Sequence, residues 1–159
     1  MKGVTMEMTH SEKATELFAE GYNCAQSVMA AFCDVTGMDT ETALMLSSSF
    51  GAGMGCMREV CGACSSMFMI AGLLYGYDSP DDNAVKTEHY KLIQRLAGEF
   101  KAEHGSVICR ELLKNLSAAK SSVPEERTEK YYKVRPCVKF VESAANILDK
   151  YISESKDKI

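Results

Sequence analysis

Apolar residues recur at three- and four-residue spacing through almost the whole chain, and no stretch alternates apolar with polar residues on a β-branched background. That periodicity predicts an all-α fold. With 159 residues, 46% of them hydrophobic, the chain can bury one core. The expected architecture is therefore a single domain over 1–159, a multi-helix bundle around a central apolar helix.

The helix signals can be placed in order. Ser11 opens a first segment with Ala14, Leu17 and Phe18 on one face, and Gly21 stops it. Asn23 caps a second, carrying Val28, Ala31 and Phe32 as far as Thr36-Gly37, so that the two form a hairpin. Asp39 caps a third, with Ala43, Leu44, Leu46 and Phe50 expected inward, before glycines 51, 53 and 55 interrupt it. Residues 60–75 are apolar on nearly all sides, as a central helix must be. Ser79-Pro80-Asp81-Asp82 starts a long amphipathic helix with Val85, Leu92, Ile93, Leu96 and Phe100, which ends at His104-Gly105. Ser106 caps a short helix over 107–116, a polar loop follows through Ser121, Ser122 and Pro124, and Pro136 opens a final helix running to Ile152. The tail 153–159 is expected to be frayed.

Eighteen basic and twenty-two acidic residues leave a net charge of −4, which argues against nucleic acid or an anionic membrane as a partner. The start MKGVTMEMTH lacks the apolar run of a secretory signal, and the longest apolar run, Met67 to Tyr75, is less than half of the about 20 residues a bilayer requires. A cytoplasmic location is expected. Seven cysteines, an odd number in a reducing compartment, disfavour a disulfide framework.

Their positions are informative. Cys24 follows the Asn23 cap, Cys61 follows the glycine-rich stretch, Cys109 lies three residues after Ser106, and Cys137 follows Pro136. All four fall at predicted helix starts, where unpaired N–H groups and the positive end of the helix dipole favour a thiolate. Such thiolates serve as ligands or nucleophiles. Cys33 lies on an apolar helix face and reads as core filler, whereas Cys56 and Cys64 could extend the site. Cys61-Gly62-Ala63-Cys64 has dithiol spacing, but no βαβ pattern surrounds it. Of the histidines, His10 falls in the loose start, His89 on a polar helix side, and His104 beside a helix stop, close to the Cys109 segment. The charged runs 125–130 and 154–158 read as solvated faces.

These residues resemble a family of redox-active proteins named for a C-GCAxxG-C-C pattern, with four conserved cysteines and a CGAxxG motif. The resemblance is carried by Gly21-Tyr22-Asn23-Cys24-Ala25-Gln26, by Phe50-Gly51-Ala52-Gly53-Met54-Gly55 leading to Cys61-Gly62-Ala63, by Gly72-Leu73-Leu74-Tyr75-Gly76, by Cys109-Arg110-Glu111-Leu112-Leu113, and by Pro136-Cys137. It implies that Cys24, Cys61, Cys109 and Cys137 are the family's four cysteines. Ser66 stands where the motif ends in glycine, so backbone packing there is looser or the hydroxyl is used. The family is similar to the iron–sulfur part of split-Soret cytochromes, which implies a helical scaffold able to hold a cluster.

Three functions follow as expectations. Cys24, Cys61, Cys109 and Cys137 would bind an iron–sulfur cluster such as [2Fe–2S] for electron transfer. Alternatively, Cys61 and Cys64 would exchange disulfides, which would make the chain an oxidoreductase. In the third case zinc would staple the helices together. The expected partner is an electron-transfer protein or a small redox molecule, with a homodimer left open.

Overall fold

A computed structural model describes residues 6–158 of the chain. Residues 1–5, which carry half of the start read above for a secretory signal, and Ile159, the end of the tail expected to fray, lie outside the described residues. The fold is all-α and forms one compact domain.

Helix α1 (His10–Ala19) is capped by Thr9 and Glu12 acting reciprocally, and α2 (Cys24–Ala31) by Asn23 and Gln26 in the same capping-box arrangement. α1 begins earlier than Ser11 because the Thr9 hydroxyl already accepts the Glu12 N–H. Phe32 breaks the second segment, leaving the short α3 (Cys33–Thr36), and Gly37 closes it with a left-handed turn. Asp39 caps α4 (Thr40–Ser48) as expected, but this helix turns Ala43 and Ser47 inward and leaves Leu46 49% exposed. The Ser47 hydroxyl is satisfied within the helix by donating to the Ala43 carbonyl, so a buried serine is tolerated there.

After the one-turn α5 (Gly51–Met54) comes α6 (Gly62–Tyr75), whose Ala63, Cys64, Ser66, Met67, Ile70 and Ala71 are completely buried. This is the predicted central helix. It packs on α2 and on two long helices, α7 (Asn83–His104) and the final α10 (Cys137–Lys156). α7 buries Leu92, Leu96 and Phe100 but not Val85. Beyond it, α8 (Cys109–Leu112) is much shorter than expected: it starts later because Ile108 pairs with Val60 in an antiparallel bridge, and it ends after one turn. A 3₁₀ turn (Ser117–Lys120), a loop and the unanticipated α9 (Glu129–Val134) lead to α10 (Cys137–Lys156). α10 continues into the segment expected to fray, as far as Lys156, and lies against α1 and α2.

His10 is also not in a loose start. Its ring stacks on Phe32 at 4.1 Å, with Nδ1 2.5 Å from Asp149 and Nε2 3.0 Å from Asp34, which ties α1 to α3 and α10. No helix among the described residues is long and apolar enough to cross a membrane.

Candidate functional site

Cys24, Cys109 and Cys137 are the first residues of α2, α8 and α10, and Cys61 is the N-cap of α6. All four line one cavity of about 260 Å³, together with Cys56 from the glycine-rich stretch. Cys64 sits fully buried one turn behind Cys61, and Cys33 lies half-buried at the start of α3; neither lines the cavity. The three histidines lie outside it as well. His104 ends α7 against the rings of Phe100 and Phe140. Among the described residues, no three Cys, His, Asp or Glu side chains converge tightly enough to hold a single metal ion as they stand.

Two local devices bring the sulfurs together. The Val60–Ile108 bridge places Cys61 and Cys109 on neighbouring segments: the Cys61 N–H donates to Val107 at 2.8 Å, and the Cys109 N–H donates to Glu59 at 2.6 Å. The other device is close contact between α2 and α6. A Cβ on Gly62 would lie 2.6 Å from the Cys24 sulfur and 2.7 Å from the Phe50 carbonyl oxygen, so only glycine lets the two helix starts touch here. Ser66, one turn further along α6, donates its hydroxyl to the Ala25 carbonyl at 2.6 Å. The departure from the motif is therefore used, as a clasp beside Cys24. Ser66→Ala is expected to cost about 1–2 kcal/mol in urea unfolding of the metal-free protein, because a buried bond is lost with no water to replace it.

The wall between Phe50 and Cys61 is strained. Ala52, Met54, Cys56 and Arg58 all adopt left-handed φ values of 55–66°, interleaved with Gly53 and Gly55. Each non-glycine residue there costs about 1–2 kcal/mol, and the strain is held by bonds from Arg58 N–H to Ala52 and from Glu59 N–H to Gly53.

Electrostatics correct one expectation. Helix starts were expected to favour thiolates, yet burial wins. It pushes Cys24 up to about 11 and Cys137 up to about 12, with neighbouring thiols adding to both. Cys61 lies well above the ordinary thiol value through its Cys64 neighbour and its burial. Cys109 is raised by burial, opposed by Arg58. Backbone N–H groups of Ala52, Ala25 and Gly62 face the Cys24 sulfur and pull the other way, but they do not outweigh desolvation. Without a metal these thiols are protonated at neutral pH.

Three arginines complete the walls, and the sequence reading missed all of them. Arg58 is only 5% exposed, donates to the Ser121 carbonyl through Nε and Nη2, and has Nη1 4.0 Å from the Cys109 sulfur. Arg127, placed above among solvated charges, instead stacks over Phe18 and Tyr131 at 4.5 and 4.6 Å and donates to the Tyr22 carbonyl. Arg135 pairs with Glu125 and also lies over the Tyr131 ring, at 4.7 Å. The available signal was local: Arg58 stands three residues before Cys61, and Arg135 two before Cys137.

The chain was compared with known proteins. Residues 22–151 match the family model described as "Putative redox-active protein (C_GCAxxG_C_C)", and the chain belongs to that family. No curated protein and no solved structure matches it.

Proposed function

We propose that this member of the redox-active C_GCAxxG_C_C family carries electrons through an iron–sulfur centre, [2Fe–2S] or a related type, held by Cys24, Cys61, Cys109 and Cys137. The observation that supports the reading is the meeting of four thiols from four separate helix starts in one cavity walled by arginines. Bound there, such a centre would supply a one-electron couple.

Four thiols, Cys61 and Cys109 buried and Cys24 and Cys137 half-buried, hold their protons at neutral pH and have no reason to ionise alone, but a metal displaces the protons outright. Loading would thus release protons and leave a negatively charged sulfur set. Arg58 beside Cys109, together with Arg127 and Arg135, offsets that charge. The N–H groups facing Cys24 suit a ligated sulfur, because hydrogen bonds to thiolate favour the reduced, more negative state. Ser122 and Pro124 of the 121–127 loop line the cavity as well.

The thiol-exchange reading has one favourable feature, Cys64 next to Cys61. It needs an attacking thiolate, and Cys61 is shifted in the opposite direction. The zinc reading shares the same four ligands and is separated by analysis of the metal. Protein purified without oxygen is expected to be brown, with iron and acid-labile sulfide in equal amounts, and Cys61→Ser is expected to lose most of both. Colourless protein free of iron and sulfide, or protein carrying zinc alone, overturns the proposal.

A further inference from the structure

The mouth of the cavity carries more positive charge than its own carboxylates offset. Arg127 and Arg135 approach the same Tyr131 ring, at 4.6 and 4.7 Å, and among the described residues Glu125 is the one carboxylate paired with either. Arg127 has its charge spread over aromatic faces and the carbonyls of Phe18 and Tyr22, with no anion of its own. Arg135 is 9% exposed, lines the cavity, and has a buried Nε–H without an acceptor. An unmade bond on a buried cation costs several kcal/mol, and such groups persist where a ligand completes them. Arg58 is a separate matter, since its free donor faces the Cys109 sulfur.

We propose that Arg135 and Arg127 form a subsite for a small oxygen-bearing anion, a carboxylate or an inorganic oxyanion, bound under the 121–127 loop next to the thiols. Arg135, turning so that its buried Nε–H reaches the cavity, donates to one anion oxygen, and Arg127 supplies the second positive charge. Glu125, half-exposed, competes for the same guanidinium and sets the affinity. The subsite would make the cavity a place where a small anion meets the sulfur set.

The test uses the full chain, metal-free and metal-loaded in parallel, with inorganic phosphate and acetate as probes in titration calorimetry. Saturable one-to-one binding of at least one probe is expected in the metal-free protein, and the preferred probe distinguishes a tetrahedral from a planar anion. Arg135→Gln should weaken binding about tenfold, the cost of one charged hydrogen bond. Glu125→Gln should tighten it about threefold or more by freeing Arg135, a gain that a misfolded variant cannot produce. Arg95→Gln, outside the cavity lining, should change nothing. Absence of saturable binding of both probes, unchanged affinity in Arg135→Gln, or weaker binding in Glu125→Gln overturns the subsite. None of these outcomes depends on whether iron is found, so this inference and the proposed function fail separately.

Discussion

Gly62→Ala is expected to destabilise the protein and to loosen the contact between α2 and α6. The new Cβ would meet the Cys24 sulfur at 2.6 Å, the Phe50 carbonyl oxygen at 2.7 Å and the Ala25 Cβ at 3.1 Å. Two of the three belong to backbone or to a side chain with no room to swing, so α6 must move off α2. Overpacking of this kind costs about 1–3 kcal/mol, and more where backbone is the obstacle. Moving α6 also carries Cys61 away from Cys24, so the metal content measured after anaerobic purification should fall with the stability. Gly72 on the same helix provides the control. Nothing lies within 4 Å of the Cβ it lacks, so Gly72→Ala should stabilise the protein by up to about 1 kcal/mol through helix propensity. Urea midpoints of the two variants should therefore move in opposite directions. A Gly62→Ala protein as stable as the parent would show that α2 and α6 do not make this contact.

The metal-free protein is expected to lose stability at alkaline pH. Cys24 and Cys137 titrate at about 11 and about 12 in the folded chain, against 9.0 for an ordinary thiol, chiefly because of burial. A group whose pKa is raised by folding contributes its full stability below its unfolded value and loses it as pH rises through its folded value. The unfolding free energy should be flat from about pH 6 to 8 and should fall between about pH 9 and 12. Each thiol accounts for on the order of 2 kcal/mol, after allowance for the cavity that both sulfurs face. The Cys24→Ala, Cys137→Ala double variant should show a shallower decline over the same range. Equal slopes in parent and double variant would mean that the alkaline loss has another source.

Much of this molecule was legible from residue types and spacing alone. The caps at Asn23 and Asp39 are local, since each is made by a side chain and an N–H three residues on. The position of the four cysteines at helix starts is local for the same reason. The central place of α6 follows from its composition, because a helix apolar on nearly every side is stable only when enclosed. Local signals failed where distant partners decided the outcome. His10 is held by residues 24 and 139 positions away. Leu46 points outward because Ala43 and Ser47 are small enough for α4 to sit closely on α2. The expected 107–116 helix gives way to α8 because 60 and 108 pair as an isolated bridge, which no alternating pattern announced.

The long helices, the caps at Asn23 and Asp39 and the cysteines at helix starts came from the order of residues, because capping and amphipathic burial act within a few positions along the chain. That the thiols share one cavity, that they hold their protons, and that three arginines surround them was decided by the folded packing. Desolvation and charge pairing depend on distances through space, and those exist only once α2, α6, α8 and α10 have been brought together.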